Sequence, residues 1–273
     1  MLETLAQYFE HIPSAHRTLI LAGGIFLFWM IESAAPLFNF KYHKIKHAGL
    51  NFLFTFTTLV VNLFFAFLIV KISLWAVGNQ FGLLHIVAMP LWLMLLIGLL
   101  LMDLISAYAI HWIEHKVKWM WRFHMVHHAD TYVDTTTANR HHPGESVFRA
   151  AFTALAVLIL GAPIWIVMLY QSLSALFSQF NHANFRLPRW LDKAVSLIII
   201  SPNMHKVHHH YVRPQTDSNY GNIFSLWDRL FGTYNYTPVD QLRYGLDVLD
   251  DKTTGNVTYQ FKIPFNKGLK TDY

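Results

Sequence analysis

Eight histidines in this 273-residue chain fall into three short boxes: His111 and His115 in HWIEH, His124, His127 and His128 in HMVHH, and His205, His208 and His209 in HKVHH. Residues three and four apart share a face of an α-helix, so each box, if helical, presents its imidazoles in one direction, as metal ligands must be presented. Chance is a poor rival. With 17 His among 273 residues, one HxxHH window is expected on the order of 0.06 times per chain, and the spacing occurs twice. Eight neutral imidazoles can hold two divalent transition metals, and they suit Fe, Zn, Cu or Ni without choosing among them.

The elements that must position these boxes are membrane helices. A composition of 54% hydrophobic and 14% charged residues, with a mean hydropathy of +0.31, is too apolar for an ordinary soluble domain. Met1–His16 is amphipathic, lacks the basic start and cleavage site of a secretory signal, and is expected at the membrane interface. Within 18–110 the sequence predicts three spans: Thr18–Phe38, apolar but for Glu32; Leu50–Val70, closed by Lys71; and Pro90–Ile110, whose only charge is Asp103 and whose end delivers His111. Residues 111–146 carry the first two boxes. The run 147–180 has one charge, Arg149, and is too long for one untilted crossing. If His142 and His182 at its two ends meet one metal site, it must enter the membrane and return, and Gly161, Ala162 and Pro163 supply the turn of a re-entrant helical hairpin. Residues 181–234 hold the third box and a cap, and 235–273 a tail of short elements. The fold class is therefore all-α: a single membrane domain over 1–273, with three spans, a hairpin and a histidine-rich helical cap.

Lys41, Lys44 and Lys46 follow the first span, Lys71 alone the second, and Lys116, Lys118 and Arg122 the third. That alternation places the boxes on the cytoplasmic side. The net charge of +5 is dispersed along the borders of apolar runs, which fits lipid headgroups and not nucleic acid. The absence of Cys excludes thiolate metal sites, iron–sulfur clusters and disulfides.

Because the boxes begin where a span ends, the site opens toward acyl chains. A lipid C–H bond has no leaving group to hydrolyse, and breaking it calls for oxygen activation, which iron can perform and redox-inert zinc cannot. The motifs HWIEH, HMVHH and HKVHH, with TTTANRHHPGE, FNHANF, SPNMHKVHH, DSNYGN and WDRLFGTY, resemble the fatty acid hydroxylase and sterol desaturase superfamily of membrane di-iron proteins over about Asp103 to Tyr234. The resemblance implies two iron ions, O2 as co-substrate, hydroxylation or desaturation of a lipid, and the eight boxed histidines as ligands, joined by His182 of FNHANF. Trp112, Ala129 and His210 depart from the common pattern, which leaves the lipid itself unassigned. No dinucleotide fingerprint, flavin site or haem module is evident, so a separate ferredoxin-like or cytochrome-type electron donor is implied.

Metal-bound imidazoles need an acceptor for the other ring N–H. Asp103, Glu145 and Asp217 are the expected carboxylates, Asp103 because it lies two helical turns ahead of His111 on nearly the same face. His142, with His141, is expected to support the site or the structure around it without ligating. The alternative function is a histidine-rich metal transporter or sensor. Transporter sites, however, lie near the bilayer midplane on broken helices, whereas these boxes sit among Lys, Arg and Trp beyond span ends. A zinc hydrolase would carry HExxH, and Glu114 stands at the wrong position for it.

Overall fold

Long apolar runs become long helices, because a chain surrounded by acyl tails must satisfy its backbone N–H and C=O groups internally. The computed structural model describes residues 1–250 and 253–271. In chain order it contains α1 (Leu2–Glu10), α2 (Ser14–Ala34), α3 (Lys44–Gly78), α4 (Leu91–Asp103), a π-helical segment (Leu104–Ala109), α5 (Ile110–Lys116) and α6 (Lys118–His128). A 3-10 turn (Thr135–Asn139) leads to α7 (Pro143–Leu160), α8 (Ile164–His182), α9 (Arg189–Val195), α10 (Pro202–His208), α11 (Leu226–Leu230) and α12 (Val257–Lys262). Among the described residues, β-pairing is confined to two isolated bridges, Pro36 with Phe185 and Ile199 with Phe224.

Four stretches are long and apolar enough to cross a membrane: Ser14–Ala34, Lys44–His85, Leu91–Lys116 and Pro143–Leu160. They mark an integral membrane protein built as a helical bundle. The span limits differ from those read in sequence. The first starts and ends four residues earlier than Thr18–Phe38. The second runs through Lys71, whose ammonium lies 4.3 Å from the Phe67 ring centre instead of ending the helix. The third runs through the π segment and continues past Ile110 along α5 to Lys116, so the first box lies on the end of the span itself.

Residues 147–180 form the interior of an antiparallel hairpin, α7 and α8, joined at Gly161, Ala162 and Pro163. Gly161 closes α7 in the left-handed conformation, φ +66°, which a side chain disfavours. The turn is held by α3 and its extension: Ser73 Oγ donates to the Ala162 carbonyl at 2.7 Å and His85 Nε2 donates to that of Gly161 at 2.9 Å. At the same end α1 buries Ala6 and Phe9 in a core shared with Trp165, Leu169 and Leu160, so it packs against the bundle.

At the opposite end Glu32 of α2 ties the layers together. Its Oε2 accepts from the backbone N–H groups of Thr135 at 3.0 Å and Asn184 at 2.9 Å, and Lys44 Nζ approaches Oε1 at 2.9 Å. Over this end sits the cap formed by α9 to α11 and their loops. In the 235–273 tail, α12 packs Phe261 on Phe54 of α3 with ring centres 4.9 Å apart, while positions 251–252 and 272–273 lie outside the described residues.

Candidate metal centre

The two HxxHH boxes are helical, and their neighbouring histidines part company. On α6, His124 and His128 point to one side with His111 and His115 of α5, and His208 of α10 completes a buried group of five. His127 turns the other way and meets His182, the last residue of α8, with His205 and His209, in a buried group of four. In each box the i, i+4 pair serves one group and the histidine at i+3 serves the other, because on a helix these positions differ by about 100° per residue. The sequence expectation of one common direction per box is corrected accordingly. Within each group the ligand atoms all lie within 4.8 Å of one another.

Whether these groups fit metal ions can be tested on the ring nitrogens. His111 Nε2 and His128 Nε2 approach His124 Nε2 at 3.1 and 3.2 Å. In the second group His127, His205 and His209 each bring Nε2 to 3.1 Å from His182 Nε2. Two imidazole nitrogens bound to one ion at right angles, with bonds of about 2.1 Å, stand about 3.0 Å apart. Five of the nine opposite ring nitrogens have acceptors as well, while Nδ1 of His127, His128, His205 and His209 has none. His111 Nδ1 donates to the Tyr220 carbonyl at 2.8 Å, His208 Nδ1 to that of Ser218 at 2.7 Å and His182 Nδ1 to that of Ser178 at 2.7 Å. His115 Nδ1 donates to Asp217 at 3.2 Å and His124 Nδ1 to Glu145 at 2.7 Å. A donor at Nδ1 fixes the tautomer that leaves the Nε2 lone pair facing the pocket. His115 Nε2 and His208 Nε2 are buried there with no hydrogen-bond partner. The residues fit two metal ions.

Electrostatics keep the donors ready. Burial, then the neighbouring imidazoles, hold His124, His127, His128, His205 and His209 well below the ordinary histidine value, so they are neutral ligands at pH 7. Burial pushes the Asp217 carboxyl up, but hydrogen bonds from His115 and Lys116 overcome it and hold the group below the usual carboxylate range. Asp217 is thus an anion that aligns His115.

The other expected supports divide. Glu145 Oε1 accepts from His124 Nδ1 and from His141 Nδ1, both at 2.7 Å, and the His141 ring stacks on His127 at 4.6 Å. His142 does not reach the pocket: its Nδ1 accepts from Gly144 N at 3.0 Å and caps α7, with its ring against Phe123. The member of the pair that touches the ligands is His141. Asp103 also misses the imidazoles. It faces the cap as His111 does, but eight residues of helix place it roughly 12 Å away along the axis, and it binds the backbone of Ile223 and Phe224 and the Trp227 indole.

Sequence reasoning missed two things. Beside the expected Asp217, the same turn supplies the main-chain carbonyls of Ser218 and Tyr220 to two further ligands of the five-histidine group, and carbonyls carry no side-chain signature. Arg149 bridges the buried Glu114, at 2.6 Å, and Glu145, at 2.9 Å. Its signal was present, since an Arg four residues after a Glu in an apolar helix needs a partner. Asp217→Ala is expected to weaken metal retention by the five-histidine group by about 10- to 100-fold, with Asp217→Asn losing less. Competition against a graded chelator checks this, and unchanged retention would overturn the role.

Comparison with known proteins agrees with this geometry. Residues 92–233 match the model of the family described as fatty acid hydroxylase. Among curated proteins, an ornithine lipid hydroxylase from Rhizobium tropici is 26% identical over 149 residues, 55% of this chain and 44% of that protein. An alkylglycerol monooxygenase from Danio rerio is 30% identical over 139 residues, 51% of this chain and 30% of that protein. A cholesterol 25-hydroxylase-like protein from the same fish is 30% identical over 129 residues, 46% of this chain and 49% of that protein. The matched stretch spans less than half the length of each of these relatives. No solved structure matches the chain. The family match covers just over half of the sequence and includes every histidine of both groups, and on that ground the chain belongs to the fatty acid hydroxylase family.

Proposed function

We propose that this protein is a membrane di-iron oxygenase that hydroxylates or desaturates a C–H bond of a lipid, using O2 and electrons from a separate ferredoxin- or cytochrome-type donor. The observation that carries the reading is the division of nine buried histidines into two adjacent groups with ligand spacing. Iron bound there supplies the redox chemistry by which O2 is reduced and a C–H bond is broken. In hydroxylation one oxygen atom enters the product and the other leaves as water, with two electrons and two protons drawn from outside. Desaturation removes two hydrogens and, with the same two electrons and two protons from outside, releases both oxygen atoms as water.

The protein's own residues hold and orient. Nε2 atoms face each pocket, Tyr220, Ser218, Ser178, Asp217 and Glu145 fix five of the rings from behind, and the bundle keeps water out. The positive-inside alternation puts the pocket at the cytoplasmic leaflet, where a soluble or membrane-bound donor can approach. The named relatives oxidise lipids of different classes, which supports lipid oxidation here and leaves the particular lipid to experiment. The transporter reading gains no support, since the histidines are sealed among helices with at most 6% of any one exposed. Lipid profiles of cells expressing the wild type or His208→Ala under 18O2 test the proposal. A labelled or newly unsaturated lipid that appears only with the wild type is expected, and iron-loaded protein that alters no lipid would overturn it.

A further inference from the structure

The third span is marked at its histidine end by exposed Trp112 and by Lys116 and Lys118, residues that settle at the membrane surface. Asp103 lies nine residues back from Trp112, roughly 13 Å deeper along the helix. Its carboxylate is filled by the N–H groups of Ile223, Phe224 and Trp227 at 3.1–3.2 Å. The cap segment that provides those donors must therefore sit at the same depth. Trp227 and Phe224 pack beside Leu100 and Leu104 of the span, and Phe231 stacks on Tyr108 with ring centres 5.3 Å apart.

Irregular backbone is tolerated at membrane depth only where protein satisfies its polar groups, and this segment meets that condition. Tyr220 and Gly221 donate to Asp228, while the Tyr220 carbonyl takes His111. The Asn222 carbonyl takes Asn181, that of Ile223 takes Ile200 N, and Ser225 N donates to Ile198 O. What remains open is apolar apart from Arg229, which donates to the Ser196 carbonyl at 2.9 Å and lies over the Tyr234 ring: Leu197 and Ile198 are 67% and 69% exposed, and Leu230 and Phe231 65% and 54%.

We infer that residues 195–200 and 220–231 form a lip of the cap that is immersed in the acyl layer, with Leu197, Ile198, Leu230 and Phe231 in contact with lipid tails. The occupant is the bilayer because the segment carrying these side chains packs directly on Leu100, Leu104 and Tyr108 of the third span. The inference holds whatever chemistry the pocket performs and rests only on the helices crossing a membrane. It also places the Tyr220 carbonyl that aligns His111 on a loop wetted by lipid on its outer side.

The chain contains no cysteine, so Ile198→Cys and Leu230→Cys each introduce one thiol for a nitroxide label, read in the full-length protein in nanodiscs of phosphatidylcholine and phosphatidylglycerol. Phe64→Cys on the exposed face of α3 reports the acyl layer, and Lys262→Cys on α12 reports water. Labels at 198 and 230 are expected to match 64, colliding often with dissolved O2 and rarely with a water-soluble nickel chelate. Accessibility matching 262 overturns the lip. Rare collision with both reagents means that another protein copy covers the surface, and also overturns it. If the label at 64 itself reads as water, the membrane assignment fails and takes the lip with it, whereas a loss of lipid oxidation with these labels unchanged would touch only the proposed function.

Discussion

His182→Ala is expected to cost the four-histidine group its ion, halving the iron bound per chain, and to reduce product formation by at least about 100-fold, the upper end seen when only a supporting residue is lost. His182 is the single residue whose Nε2 lies 3.1 Å from three other donors, His127, His205 and His209. Without it those three lose the centre they share, and α8 contributes nothing else to that group. His142→Ala is the matched control. It removes a helix cap and not a ligand, so both ions are expected to stay, at a stability cost of about 1 kcal/mol. Iron analysis of the two purified variants checks this. Equal iron loss in both, or full retention by His182→Ala, would contradict the division of the histidines.

The largest stability effect is expected from Arg149→Met. The guanidinium approaches Glu114 at 2.6 Å and Glu145 at 2.9 Å, and both carboxylates are fully buried while the arginine side chain is 25% exposed. Taking away the shared cation strands two anions beside the pocket, and breaking a buried pair in this way costs about 3–5 kcal/mol. Arg149→Lys recovers only part, because an ammonium cannot span two carboxylates as a planar guanidinium does. Adding Glu114→Gln to Arg149→Met removes one stranded charge and is expected to restore part of the loss. Thermal unfolding in nanodiscs reads each step, and a single variant as stable as the wild type would disprove the account.

The histidine boxes were legible because i, i+3 and i, i+4 spacing is a local property of a helix. The hairpin was legible for a related reason: Gly161 and Pro163 punctuate a run whose two ends had to meet. The split of each box between two groups was not, since it depends on how α5, α8 and α10 are arranged around α6. Asp103 shows the limit most clearly. Its burial in a span signalled a partner, but the choice between an imidazole eight residues along and a loop more than a hundred residues away is made by tertiary packing. His142 keeps the structural half of its expected role, since a histidine before Pro143 is placed to cap the helix that the proline starts.

The sequence order of the donors dictates when the centre can first exist. A chain synthesised only as far as the second box has five of the nine imidazoles, and neither group is complete until His208 and His209 have been made, with the aligning turn ending at Tyr220 of 273 residues. Insertion of the early spans therefore precedes cofactor capture. The full ligand set of either group exists only after the four apolar stretches that precede the third box have been made.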